Sequence, residues 1–132
     1  MKTTKILALS LAAAVAFSSA SAMAKSGGEK LFKKKCGACH SMEPGKHKIG
    51  PSLAGIVGRA AGTVEGFTKY KAMKGANFTW DEAMLDSWIT DQKEFLKANK
   101  DIVGGPKTSM SAKIKKEKDR KAIIDYLNGV ED

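Results

Sequence analysis

Only two cysteines and two histidines occur in the 132 residues, and that scarcity removes several chemistries at once. A structural zinc site takes about four nitrogen or sulfur ligands. With Cys36, Cys39 and His40 side by side, only His47 remains, and there is no further cysteine. Strand-type alternation of apolar and polar residues is missing too, so the two thiols have no βαβ frame of the kind a thioredoxin-like redox motif needs. No internal repeat, low-complexity tract or second domain is visible. No apolar run approaches the roughly 20 residues that cross a bilayer as a helix. Acidic residues are few as well, 14 against 23 lysines and arginines, for a formal charge of +9.

What the chain does have is Cys36-Gly37-Ala38-Cys39-His40. Two thiols three positions apart, followed at once by an imidazole, are the pattern of c-type haem attachment. On a helical turn the two sulfurs leave nearly the same face, so each can reach one vinyl group of the same porphyrin and form a thioether. His40 is then delivered beneath the ring at little further cost in chain entropy. The small Gly37 and Ala38 leave room for the macrocycle. An inert disulfide or dithiol is the alternative use of the pair.

The N-terminus has the layout of a secretory signal. Lys2 and Lys5 precede an apolar run from Ile6 to Phe17, broken only by Ser10, and Ala22-Met23-Ala24 offers a small-x-small cleavage site. Residues 1–24 are therefore expected to be removed, leaving one domain, 25–132, of 108 residues and net charge +7. A domain of that size has little core of its own, so a buried porphyrin would supply much of its apolar contact surface. An exported basic protein seldom meets nucleic acid. Its charge suits either plain solvation or an acidic protein face.

The spacing predicts an all-α domain with long loops. A first helix opens at Ser26 or Gly27 and ends at Lys33-Lys34-Lys35, with Gly28, Leu31, Phe32 and Cys36 on one stripe. A Gly/Pro-rich stretch after His40 wraps around something. Thr79-Trp80-Asp81-Glu82 fits a capping box for a helix reaching about Thr90, and a short helix follows over Asp91 to Ala98. Gly104-Gly105-Pro106 breaks the chain before a last helix from about Lys115 to Asn128, whose stripe is Ile123, Tyr126, Leu127 and Val130.

The iron's second axial position decides between electron transfer and ligand chemistry. Met42 and His47 are too close to His40 in sequence to pass around the porphyrin edge comfortably. Met84 falls on a helix stripe, where core packing explains it. Met73 and Met110 remain alongside water, with Met110 better placed because it hangs from an irregular stretch bounded by Gly104-Gly105-Pro106.

Taken together, several blocks make the chain resemble a class I cytochrome c, most closely the long cytochrome c2 type of purple bacteria. They are Gly28 with Phe32, Cys36 to His40, Lys46 to Leu53, Gly58-Arg59, Gly66-Phe67, Phe78-Thr79-Trp80, Thr108-Ser109-Met110 and Ile124 to Leu127. The resemblance spans Gly28 to Leu127. It implies the class I fold, with N- and C-terminal helices packed together around one haem c on Cys36 and Cys39, and His40 and Met110 as iron ligands. It further implies that the Pro51 carbonyl accepts from the imidazole, that Trp80 and Arg59, with Thr108, stand near a haem propionate, and that His47 bonds loop backbone. The chain departs from the family's pattern in three places. Trp88 stands where a tyrosine hydroxyl usually reaches the axial sulfur, and an indole can donate but not accept. Lys69 replaces the tyrosine expected after Gly66-Phe67, which shifts to Tyr70. The segment from Asp91 to Ser109 is longer than in the mitochondrial form.

The function so implied is a soluble, monomeric, non-enzymatic carrier of single electrons in the periplasm. Lys34, Lys35, Lys48, Lys107, Lys115 and Lys116 would ring the exposed haem edge and dock on acidic faces of membrane redox complexes. By resemblance these are cytochrome bc1 as donor and a photosynthetic reaction centre or terminal oxidase as acceptor. The competing reading is a haem protein whose Met110 does not bind, leaving iron open for peroxidase chemistry or gas sensing.

Overall fold

The computed structural model describes residues 19–129, with side chains from Gly27 onward. Most of the expected signal segment, residues 1–18, and Val130 of the predicted C-terminal stripe lie outside the described residues. Among the described residues there are four helices: α1 (Ser19–Lys35), α2 (Glu82–Thr90), α3 (Gln92–Ala98) and α4 (Glu117–Asn128). Among the described residues the only β pairing is an isolated antiparallel bridge between Ala60 and Thr79. The architecture is the expected all-α one, with long turns filling the space between α1 and α2.

Helix α1 packs on α4. Gly28 allows this close crossing, because a Cβ there would meet the Ala122 carbonyl oxygen and lie 2.8 Å from the Tyr126 Cβ. Phe32 and Tyr126 rings then sit 5.6 Å apart, above a core that includes Cys36, Ile123, Ile124 and Leu127. The helix begins well before the expected cap at Ser26 or Gly27. Ser19 to Ser26 contains no breaker and is rich in alanine, the best helix former, so the helix continues N-terminally and both glycines become interior.

The start of α2 also differs from expectation. Asp81, not Thr79, caps it, its Oδ1 accepting from the Met84 amide at 2.7 Å. Thr79 is drawn instead into the bridge with Ala60, which aligns the chain entering the helix with the loop behind it. Asp91 separates α2 from α3 with extended backbone (φ −161°, ψ 109°) and caps α3 through the Lys93 and Glu94 amides. A hydrogen bond from Lys113 Nζ, and then the bonds from these amides, hold its carboxyl below the usual value. Helix α4 lacks a side-chain cap at Lys116. Its first turns are fixed from outside by Arg120, which bonds Asp86 Oδ1 at 2.7 Å and also donates to the carbonyls of Ile114 and Lys115.

Under α2 and α3 lies an aromatic cluster of Phe78, Trp80, Trp88 and Phe95. The Phe78–Trp80 and Trp88–Phe95 pairs meet edge to face at 4.8 and 5.2 Å. Such pairs add about 0.5–1.5 kcal/mol each beyond their buried area. Phe95 is 1% exposed and anchors the short α3.

Candidate functional site

The five-residue motif continues α1 as a further turn. Cys36 N–H donates to Phe32 O at 2.7 Å and His40 N–H to Cys36 O at 2.9 Å, so the helical projection expected for the two thiols holds locally. Their surroundings differ: Cys36 is buried and Cys39 is exposed, and the two are not joined in a disulfide. Burial, and then the neighbouring Cys39, push the Cys36 thiol up to about 11, so at neutral pH it is the protonated thiol.

The loop 47–53 is stitched to this turn. Gly50 N–H donates to Cys39 O at 2.8 Å and Leu53 N–H to Ser41 O at 2.8 Å. The Gly50 backbone lies directly on the His40 ring, where a Cβ would be 2.7 Å from Nδ1. Beside it, His40 Nδ1 stands 2.8 Å from Pro51 O. A carbonyl can only accept, so Nδ1 carries the proton and Nε2 keeps its lone pair. Burial also holds the His40 pKa below the ordinary value, outweighing the opposing Pro51 bond, with the charges of Arg59 and Lys48 adding to the lowering. The ring is a neutral imidazole with one nitrogen spent and the other available to a metal. Gly50→Ala is expected to push this ring or the loop aside and lower stability by about 1–3 kcal/mol. Thermal unfolding checks the loss, which should be absent for an alanine at Gly105, where a Cβ meets nothing within 4 Å and φ is not positive.

On the far side of the sequence Met110 is half-buried against the core. Its sulfur accepts a hydrogen bond from Trp88 Nε1 at 3.1 Å, and its amide donates to Thr108 Oγ1 at 3.1 Å. The indole at the usual tyrosine position thus makes the contact in the one direction open to it. Met73, the other candidate, is buried in the core beside Gly62. Met84 and Met42 are partly buried against the core.

The remaining predicted residues divide. His47 uses both ring nitrogens on backbone, Nε2 with Glu65 O at 2.8 Å and Nδ1 with Ser52 N at 3.0 Å, as expected of a loop-fastening histidine. Arg59 donates to Ala54 O and Ser52 O at 3.0 and 3.1 Å. Tyr70 accepts from the Val64 amide at 3.3 Å and meets Phe67 edge to face. All six lysines proposed for docking are exposed, and none is paired with a carboxylate among the described residues. Lys48 Nζ is fixed at 2.7 Å on the Gly37 carbonyl, which puts its charge beside the cysteine turn.

Two residues were not foreseen from sequence. Gly50 offered only the general signal of a Gly/Pro-rich loop. Gln92, at the start of α3, offered none, yet it is 1% exposed and bonds both the Trp88 and Ala112 carbonyls.

Two free thiols on one turn, a neutral imidazole with Nε2 available and a thioether fixed by an N–H donor form a donor set that fits haem c. Within the described residues no helix is long and apolar enough to cross a membrane, and no cluster of three or more His, Cys, Asp or Glu could hold a further metal ion. The family profile described as Cytochrome c matches residues 26–131. Cytochrome c2 iso-2 of Magnetospirillum molischianum is 41% identical over 92 residues, 70% of this chain and 87% of its own. Cytochrome c of Chlamydomonas reinhardtii is 41% identical over 101 residues, 76% of this chain and 83% of its own. Among solved structures, cytochrome c2 from Rhodospirillum centenum superposes with a TM-score of 0.68 at 31% identity, covering 82% of this chain and 98% of that one.

Proposed function

Because the chain belongs to the cytochrome c family, we propose that it is a soluble, monomeric one-electron carrier, released by cleavage after Ala24 and working in the periplasm as residues 25–132. Its cofactor is a single covalently attached haem c, which supplies a one-electron Fe(III)/Fe(II) couple. In this reading Cys36 and Cys39 carry the two thioethers, and His40 and Met110 are the iron ligands.

The observation that carries the proposal is that each axial side chain is fixed by a neighbour suited to its role. Pro51 O accepts a hydrogen bond from His40 Nδ1–H, which orients the ring and raises the donor strength of Nε2. Trp88 Nε1–H draws density from the Met110 sulfur, leaving a weaker donor that favours the less charged reduced state and so a higher potential. Fixed by Pro51 and Trp88, His40 and Met110 would hold the metal in both oxidation states without moving, which would keep the reorganisation barrier low. No position is left for a substrate, so the chain acts as a carrier and not as an enzyme.

Exposed Cys39 sets the attachment turn at the surface, with Lys48 beside it. Together with Lys34, Lys35, Lys107, Lys115 and Lys116, it would give brief docking on acidic faces of cytochrome bc1 and of a reaction centre or terminal oxidase. Electron exchange with such a complex is expected to slow about tenfold or more as ionic strength rises from roughly 0.01 to 0.2 M, because the Debye length shrinks over that range. Stopped-flow rates measure this, and salt-independent rates would remove the lysine docking face.

A further inference from the structure

The stretch between Ala98 and Glu117 that carries Met110 has no regular secondary structure, so no ladder of its own holds the sulfur in place. Its first part is tied to the 72–77 loop, Gly104 N–H donating to Ala72 O and Asn77 N–H to Ile102 O, both at 2.7 Å, and its part around Met110 is cross-linked to α2, α3 and the Asp91 between them. Ile114 N–H donates to Ile89 O at 2.8 Å, and Lys113 pairs with Asp91 at 2.6 Å near the surface. The link nearest Met110 in sequence, apart from its own bonds, comes from the buried side chain of Gln92. Both donors of the Gln92 carboxamide are used, Nε2 lying 2.9 Å from Trp88 O and 2.7 Å from Ala112 O.

Two carbonyls can be served only by an NH₂ group, so the orientation of the amide is fixed by its surroundings. That leaves Gln92 Oε1 buried with no hydrogen-bond partner. An orphaned buried acceptor is a cost that an apolar side chain of equal volume would avoid. What the glutamine adds over such a side chain is donors aimed at these two carbonyls. They belong to Trp88, whose indole bonds the Met110 sulfur, and to Ala112, two residues past Met110. The result is a closed loop of contacts: sulfur to indole, Trp88 carbonyl to carboxamide, carboxamide to Ala112 carbonyl, and two residues of backbone back to the sulfur.

We propose that Gln92 is the positioning residue that latches the Met110 segment to the end of α2 and thereby keeps the sulfur on the iron. The proposal rests on the reading of Met110 as axial ligand. Opening the latch frees the segment to swing away, so whatever weakens Gln92 eases displacement of Met110 by an external ligand.

The test uses the mature holoprotein with imidazole as the displacing ligand. Gln92→Met keeps the volume and removes the donors. It is expected to retain the far-ultraviolet circular dichroism of the parent while binding imidazole to the oxidised protein about tenfold more tightly, the effect of losing roughly one net hydrogen bond's worth of closure. Ile123→Val, deep in α4 at 1% exposure, serves as the control for general destabilisation and should leave imidazole affinity unchanged. An affinity in Gln92→Met within twofold of the parent, or an equal gain in Ile123→Val, would overturn the latch.

Should Gln92→Met fail to fold, nuclear magnetic resonance of the parent decides. The Gln92 side-chain amide protons should be protected from exchange and lose that protection when imidazole displaces Met110. Unchanged protection would overturn the latch. A parent without sulfur-to-iron absorption overturns the ligand reading and the latch with it. A parent that has the absorption but fails these tests overturns the latch alone.

Discussion

Serine at both Cys36 and Cys39 is expected to yield a chain that loses its colour when passed through a gel-filtration column in denaturant, whereas the parent carries its colour with the polypeptide. Either single variant should still carry it, since one thioether suffices as a tether. The effect on folding is expected to be as large. A domain of 108 residues has a modest core, and total stabilities are only about 5–15 kcal/mol. Cys36 is itself among the buried core residues, packed with Phe32 and Ile123 in the same apolar cluster. Removing the tether turns a permanent core component into a dissociable one, so far-ultraviolet dichroism of the double variant should report a largely unfolded chain. Colour that stays with the double variant in denaturant would show that the cysteines are not the attachment points.

Met110→Ala should leave the colour in place and change what the metal can do. Without the thioether the sixth position opens, so reduced protein is expected to bind carbon monoxide, which the parent refuses. The potential should fall by on the order of a hundred millivolts, within the roughly 0.8 V that axial ligation spans. The Trp88 indole would lose its acceptor at the same time. This pair of effects separates a carrier from a peroxidase or gas sensor, because a protein whose metal was already open would bind the gas before the substitution as well as after it. Unchanged spectra with no gas binding would move ligation to another methionine.

The parts of this protein that could be read from sequence are those whose chemistry is local. Cys36 to His40 is contiguous, and its spacing alone restricts what it can attach. The short helix expected over Asp91 to Ala98 is present as α3, one residue shorter because Asp91 caps it, its carboxylate accepting from amides two and three residues ahead. Where two local signals competed, tertiary structure chose. Thr79 fits a capping box, but the bridge to Ala60 engages it, and Asp81 caps α2 instead. The start of α1 was missed for the opposite reason: Gly27 looks like a boundary, yet Gly28 is needed inside the helix for contact with Ala122.

The Trp88 contact could not be settled from residue type, since whether an indole reaches a sulfur 22 positions away depends on how the Met110 stretch is routed. Gln92 was invisible because its role lies in two carbonyls, one of them 20 residues distant, and carbonyls are the same at every position in a sequence.

In the proposed carrier, the Met110 sulfur and the His40 imidazole would close the metal from both sides. Absorption of the oxidised mature protein in the far red tests this most directly. A weak sulfur-to-iron charge-transfer band, lost on reduction and lost in Met110→Ala, is the predicted result. A coloured protein with no such band, whose reduced form takes up carbon monoxide at once, would contradict it.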